Sequence, residues 1–505
     1  MNVKEDERER KNIRFGIVLT YLRLTISIIV SLLYPPYLLQ KVGLVNNGLY
    51  FFATSLITYT LLISLGMENS YVRFSTVNEK EKGEDGLKQI NGFYLICFGV
   101  MALLMLAVGI TLAFLYGQGI IVYKDSTPDT RHVLFLLILI ASVVSSIDFF
   151  LSLFTWYVYY KSHFIVEQLL YLAVHIFSVL GSFLFLYFGY DIIAVSLVSG
   201  AVLLFFDLLG AIYAVFKLKM SFGKPKDFSG LFKQVFTFAL YIFFMVIVST
   251  ITTSMGKTIL GQMVGMGAVT IFGYGLQFYL YENQISMAIS SQFSPRINSL
   301  AINNKQDEIS SLFSKVSLLQ LIILFLIVGG FASCGQDFIR AWLGNSELQD
   351  QDFSTIFYLS LGFLLLGIVP LSQNLGIEIQ RAENKHRYLS IVNLVCSVVS
   401  IGIAILCVYL LPQDYKVYGP LIGIGCSLII GMVIFSSVYY QKDLSLPIKH
   451  YYIDFFKTGI LATASWAIVF ILFRYAIKIP ESWNLWWGTI IKGCSFALLF
   501  ISSIL

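Results

Sequence analysis

The chain has 505 residues, of which 57% are hydrophobic and only 12% charged. Soluble domains average about 25% charged residues, so this composition excludes a water-soluble protein and predicts a polytopic, all-α membrane protein. The net charge of +5 is scattered over short loops, which argues against a nucleic-acid partner, and six cysteines without a C-x-x-C pair suggest neither a disulfide framework nor a zinc site.

The start, "MNVKEDERERKNIRFG", carries four acids. No small-residue cleavage site follows in the apolar run after it, so a retained first helix with a cytoplasmic tail is expected. Apolar stretches of about 20 residues mark spanning helices. They fall at 13–36, 44–67, 91–115, 133–156, 164–188, 192–216, 233–256, 267–290, 316–334, 354–377, 388–411, 417–440, 455–477 and 486–505, about fourteen in all. With the N-terminus inside, 24 of the 34 lysines and arginines fall on inner tails and loops and eight on outer ones. That bias satisfies the positive-inside rule and places both termini inside. No connecting loop is long enough for a soluble catalytic domain, and no phosphate-binding G-x-x-x-x-G-K-[ST] loop occurs, so no enzyme and no cofactor is expected.

An internal repeat follows the first and seventh helices. Val42 and Gly43 align with Val264 and Gly265, and Tyr50 aligns with Phe272, at an offset of 222. Arg73 falls one residue short of Arg296 at that offset. Two parallel six-helix lobes are therefore expected, with two further helices. The boundaries are an N-lobe at 1–216, the basic linker "KLKMSFGKPKDF" within 217–232, a C-lobe at 233–442, and helices thirteen and fourteen at 443–505.

The motifs "VGLVNNGLY", "LGMENSYVRFS", "MGKTILGQMVGMGAVTIFGYG", "FIRAWLG" and "IQRAENKHRYLSIVN" occur in that order. Together they resemble landmarks of the O-antigen and capsule repeat-unit flippases, within the multidrug/oligosaccharidyl-lipid/polysaccharide exporter superfamily. The family often has aspartate before the lysine of the third motif, where this chain has Gly256, so no carboxylate role is carried over there. The resemblance implies a protein of the bacterial inner membrane that moves undecaprenyl-pyrophosphate-linked oligosaccharide between leaflets by alternating access. Its partners would be that lipid-linked substrate, membrane lipids, an H+ or Na+ coupling ion and the polysaccharide assembly machinery. A multidrug cation antiporter of the same superfamily, a lipid II flippase and, from another class, a polysaccharide polymerase or ligase are the alternatives. A lumen of paired carboxylates would favour the antiporter.

Polar residues inside the apolar runs are the candidate sites, because a charge at the bilayer centre costs about 2.5–3.5 kcal/mol on insertion scales. Arg23 lies about ten residues into helix one, roughly 15 Å deep at 1.5 Å per residue. Asp148 and Asp207 sit at matched depth in helices four and six. Arg23 therefore reads as the partner of one of them, as a contact for substrate phosphate, or as a cation snorkelling to the inner interface. Asp148, Asp207 and His175 are the ion-coupling candidates, with a packed histidine as the plainer reading of His175. Gln277, Glu282, Asn283 and Gln284 form a polar belt suited to sugar hydroxyls or to bonds between helices, and Lys257 is either a substrate contact or an interfacial residue. Glu68, Arg73 and Arg296 flank inner helix ends as gate or topology residues. "RAWLGN" reads as a short outer interfacial helix.

Overall fold

Hydrocarbon offers the backbone no hydrogen-bond partners, so apolar segments of this length must satisfy their own amides as helices. The computed structural model describes residues 3–344, 346–385, 387–477 and 485–504, and within these the side chains of all but 3–21, 69 and 241. Lys478 of the expected outer loops lies outside them. Among the described residues there is no strand. The helices are α1 (Val3–Thr60), α2 (Tyr71–Gly117), α3 (Pro128–Tyr160), α4 (Phe164–Tyr187), α5 (Ile192–Ile212), α6 (Phe228–Met263), α7 (Met266–Ser291), α8 (Ser294–Ile302) and α9 (Gln306–Leu343). They continue with α10 (Asp350–Ser372), α11 (Asn374–Ala382), α12 (Arg387–Leu410), α13 (Gly419–Ser427), α14 (Ser436–Lys442), α15 (Ile448–Ile471) and α16 (Leu485–Ile504). A π-helical stretch, Leu428–Phe435, joins α13 to α14.

Twelve helices among the described residues are long and apolar enough to cross a membrane. Two differences separate this set from the fourteen expected. Residues 13–36 and 44–67 count there as one run, Leu22–Ser64, although they are two helices that meet at Gly43, and α7 is absent from the set because its centre is polar. The run through α1 passes Pro35 and Pro36 and breaks instead at Gly43, whose φ is 79°. Its partner in the internal repeat, Gly265, also has positive φ, 136°, and separates α6 from α7. Both positions demand a residue without Cβ, since other L-residues adopt such backbone only at a cost. The aligned "VG" pairs therefore encode the same backbone break twice.

Helix starts follow local chemistry. Thr127 and Thr130 cap α3 reciprocally with Pro128 in its first turn, and the Asp191 carboxylate accepts from the amides of Ile193 and Ala194 at the start of α5. The chain divides into two compact units, Met1–Thr250 with Gly261–Met266, and Ile251–Leu260 with Gly267–Leu505. In the first, α3 packs on α1, α2 and α5, and α4 packs on α1 and α5. Its core is rich in aromatic rings such as Tyr71, Phe93, Tyr94, Phe98 and Phe149. The charged stretch after Tyr71, expected as an inner loop, is helical on both sides of a break at Gly83. Glu79 there holds the end of α3 through Lys161 at 2.9 Å and through the Tyr160 hydroxyl. The basic segment after α5 is strapped to α2, since Gly223 N donates to Lys88 O at 2.8 Å and Asn91 to Ser221 O at 3.0 Å.

In the second unit α9 is central, flanked by α10, α15 and α16, around Phe313, Leu364, Phe496 and Phe500. Lys492 of α16 is ion-paired with Asp337 of α9, which accounts for a charge within the last apolar run. The "RAWLGN" segment is not a separate interfacial helix. α9 continues through Arg340 to Leu343, because Trp342 is buried against Tyr274 and Phe278 of α7.

Candidate functional site

The first unit gathers seven ionisable groups from four of its helices and the turn that follows α1. The stripe Glu167, Tyr171 and His175 recurs every four residues along α4 and so shares one face. The Arg23 guanidinium of α1 lies over the Tyr171 ring, 5.6 Å from its centroid, and is in electrostatic contact with Glu167 and His175. Asp148 of α3 and Asp207 of α5 approach within hydrogen-bonding reach of each other, and both act electrostatically on Tyr171. A hydrogen bond between two carboxyl groups needs one of them to carry the proton. Asp148 also lines a cavity of about 270 Å³ together with Glu68, Ser64, Ser152 and Val246.

Arg23 forms no ion pair within 4 Å among the described residues, and its buried Nε has no hydrogen-bond partner there. The two aspartates matched to it by depth pair with each other instead. The cluster thus holds four carboxyl groups and one guanidinium, which acts on Glu167 and whose Nε donor is unused among the described residues. Glu167 and Tyr171, which connect the two halves of the cluster, were missed in the sequence because Glu167 stands near a helix start. Its four-residue spacing to Tyr171 and His175 was the available signal.

The other candidates are dispersed. Arg73 is exposed and sits over the Phe238 ring at 4.3 Å, a cation–π contact within the first unit. In the second unit Arg296 is exposed on α8, and Lys257 is half-buried on α6, six residues before its end. Gln277 of α7 donates to the Tyr281 hydroxyl at 2.8 Å. Of the belt that follows, Gln284 is exposed and Asn283 half-buried, while Glu282 is only 1% exposed. Neither Glu282 carboxylate oxygen has a hydrogen-bond partner among the described residues, and a Cβ on Gly367 of α10 would meet Oε2 at 2.7 Å. One turn further on, Ser286 is part of a hydrogen-bonded network: it donates to Leu371 O at 2.6 Å and accepts from Asn374 at 2.9 Å. Gln320 of α9 donates to the backbone oxygen of Ser286 at 3.0 Å and to the Ser290 hydroxyl at 2.8 Å. These bonds between helices hold α7 against α9 and α10.

A family model described as "polysaccharide biosynthesis protein" matches residues 13–300, more than half of the chain. The chain belongs to the polysaccharide biosynthesis protein family. No curated protein matches this family member in sequence. Among solved structures, lipid II flippase MurJ in an inward closed conformation is similar at 16% identity, covering 96% of this chain and 98% of that one, with a TM-score of 0.72. An inward-facing multidrug resistance MATE transporter of the MOP superfamily follows at 11% identity, 86% and 99% coverage, and a TM-score of 0.63. A MOP superfamily transporter from Pyrococcus furiosus matches at 14% identity, 86% and 96% coverage, and a TM-score of 0.59. At such identities the likeness establishes the fold. With its family and its twelve candidate spans, this polysaccharide biosynthesis family member is a multi-pass inner-membrane protein with a fold like those of MurJ and MATE transporters.

Proposed function

We propose that the chain translocates undecaprenyl-pyrophosphate-linked oligosaccharide repeat units from the inner to the outer leaflet by alternating access, without acting as an enzyme. The observation that carries this reading is the family match over residues 13–300. The fold it shares with a lipid II flippase supports it. So does Arg23, a guanidinium at membrane depth with no carboxylate within 4 Å among the described residues, which is the chemistry a pyrophosphate recognises. In this proposal Arg23 contacts the pyrophosphate. The Asp148–Asp207 pair, with His175 beside Arg23, holds and releases the coupling ion.

The paired carboxylates favour a second reading. Asp148 beside Asp207, with Glu68 lining the same cavity as Asp148, is the feature expected of a multidrug cation antiporter of the same superfamily, and MATE transporters share the fold. Deleting the gene and extracting the undecaprenyl-linked lipids for mass spectrometry separates the two. The flippase reading expects a complete lipid-linked repeat unit to accumulate on the inner leaflet and to be cleared when the chain is restored. Unchanged lipid pools with raised sensitivity to cationic drugs would favour the antiporter, and accumulated lipid II would make the chain a lipid II flippase.

A further inference from the structure

We infer that the groove between the π-helical stretch with α14 and the first turns of α15 binds one anionic phospholipid, its acyl chain along the groove and its phosphate at Lys449. The groove is a cavity of about 620 Å³. Lys449, Tyr452, Ile453 and Phe456 lie at i, i+3, i+4 and i+7 on α15 and so form one face. Ile434 and Val438 form the opposite wall. Four of these apolar side chains are strongly exposed: Ile434 by 52%, Val438 by 48%, Ile453 by 43% and Phe456 by 62%. The two helices thus turn apolar faces towards each other without filling the space between them.

Beneath the walls two polar groups are paired. Ser437 and Tyr452 share a hydroxyl–hydroxyl bond at 2.9 Å, and the remaining uncharged polar side chain of the lining is that of Gln441. The extra backbone width of a π-helical stretch, frequent where helices serve a site, adjoins this floor.

Charge selects the occupant. Lys449 lines the groove at the end where α14 stops and α15 begins, is exposed, and forms no ion pair among the described residues. Lys442 ends α14 on the same side. Nearby acids are mostly taken: Asp454 faces His450 at 3.6 Å, and Glu383 is paired with Lys385 at 2.9 Å. The backbone oxygen of Asp443 accepts from Lys385 at 2.9 Å. An apolar trough with a cationic end, in a chain that spans a membrane, matches an amphiphile with an acyl chain and a negative headgroup. A zwitterionic lipid brings its own cation beside the same phosphate and so gains less from Lys449.

The test is native mass spectrometry of the full chain in detergent, titrated with phosphatidylglycerol or with phosphatidylcholine of the same acyl chains. The inference expects one tightly retained phosphatidylglycerol. It expects Lys449→Ala to weaken that retention about five-fold, and Lys449→Arg to restore it. Lys226→Ala, in an exposed loop, is the control and should change nothing. Val438→Trp should reduce retention of both lipids by filling the trough, with far-UV helicity unchanged as the check on folding. Equal retention of the two lipids, or retention indifferent to Lys449→Ala, would overturn the inference. So would displacement of phosphatidylglycerol by undecaprenyl phosphate at equal concentration, which would assign the groove to the carrier lipid.

Discussion

Arg23 has the Tyr171 ring beneath it and Glu167 in electrostatic contact, but no ion pair within 4 Å among the described residues. A structural ion pair and a substrate contact predict opposite results for its removal. Breaking a buried pair leaves a stranded charge and destabilises strongly, whereas removing an under-satisfied cation relieves desolvation. Arg23→Ala is therefore expected to leave the thermal unfolding midpoint in detergent unchanged or raised, and to slow transport about ten- to a hundred-fold, the worth of one charge-assisted bond to phosphate. A fall in the midpoint with unchanged transport would return Arg23 to a structural role. For Asp148 and Asp207, either Asp→Asn change removes one of the two carboxyl groups that can share a proton. Each is expected to abolish transport driven by an imposed ion gradient while substrate still binds. Gradient-driven transport that survives Asp148→Asn and Asp207→Asn would place coupling elsewhere. At this scale the sequence disclosed the chemistry of Arg23, Asp148 and Asp207 but not their pairing. Matched depth says nothing about rotation around a helix axis, and rotation decides which side chains meet.

Among the elements, α16 tests how charges are tolerated within apolar helices. Lys492 is half-buried and paired with Asp337 of α9, and the same two helices meet where Phe496 lies against Gly329. Asp337→Leu alone is expected to lower stability by up to about 3 kcal/mol, the upper range for an unpaired lysine in a membrane helix. The double variant Asp337→Leu with Lys492→Met should recover most of that loss, which a double-mutant cycle of thermal unfolding measures. Additive losses would mean that the pair contributes nothing. Helix existence was readable along nearly the whole chain because apolar runs of spanning length have no alternative to helix in lipid. Continuity was less readable. The "RAWLG" segment looked like a separate amphipathic turn, and only the packing of Trp342 on Tyr274 and Phe278 shows why α9 runs on. Gly43 and Gly265 were legible as an aligned pair, though not as the same backbone break.

For the molecule as a whole, the family and the MurJ- and MATE-like fold are established, and the proposed cargo rests on charge chemistry. The most direct measurement is translocation in proteoliposomes: purified chain, undecaprenyl-pyrophosphate-linked oligosaccharide in the outer leaflet, and a membrane-impermeant glycosidase or lectin added to read how much stays accessible. The account predicts protected substrate appearing with wild-type chain and an ion gradient, and about ten- to a hundred-fold slower protection with Arg23→Ala. Substrate that stays fully accessible with folded wild-type chain, while a fluorescent lipophilic cation is driven across the same vesicles, would contradict it.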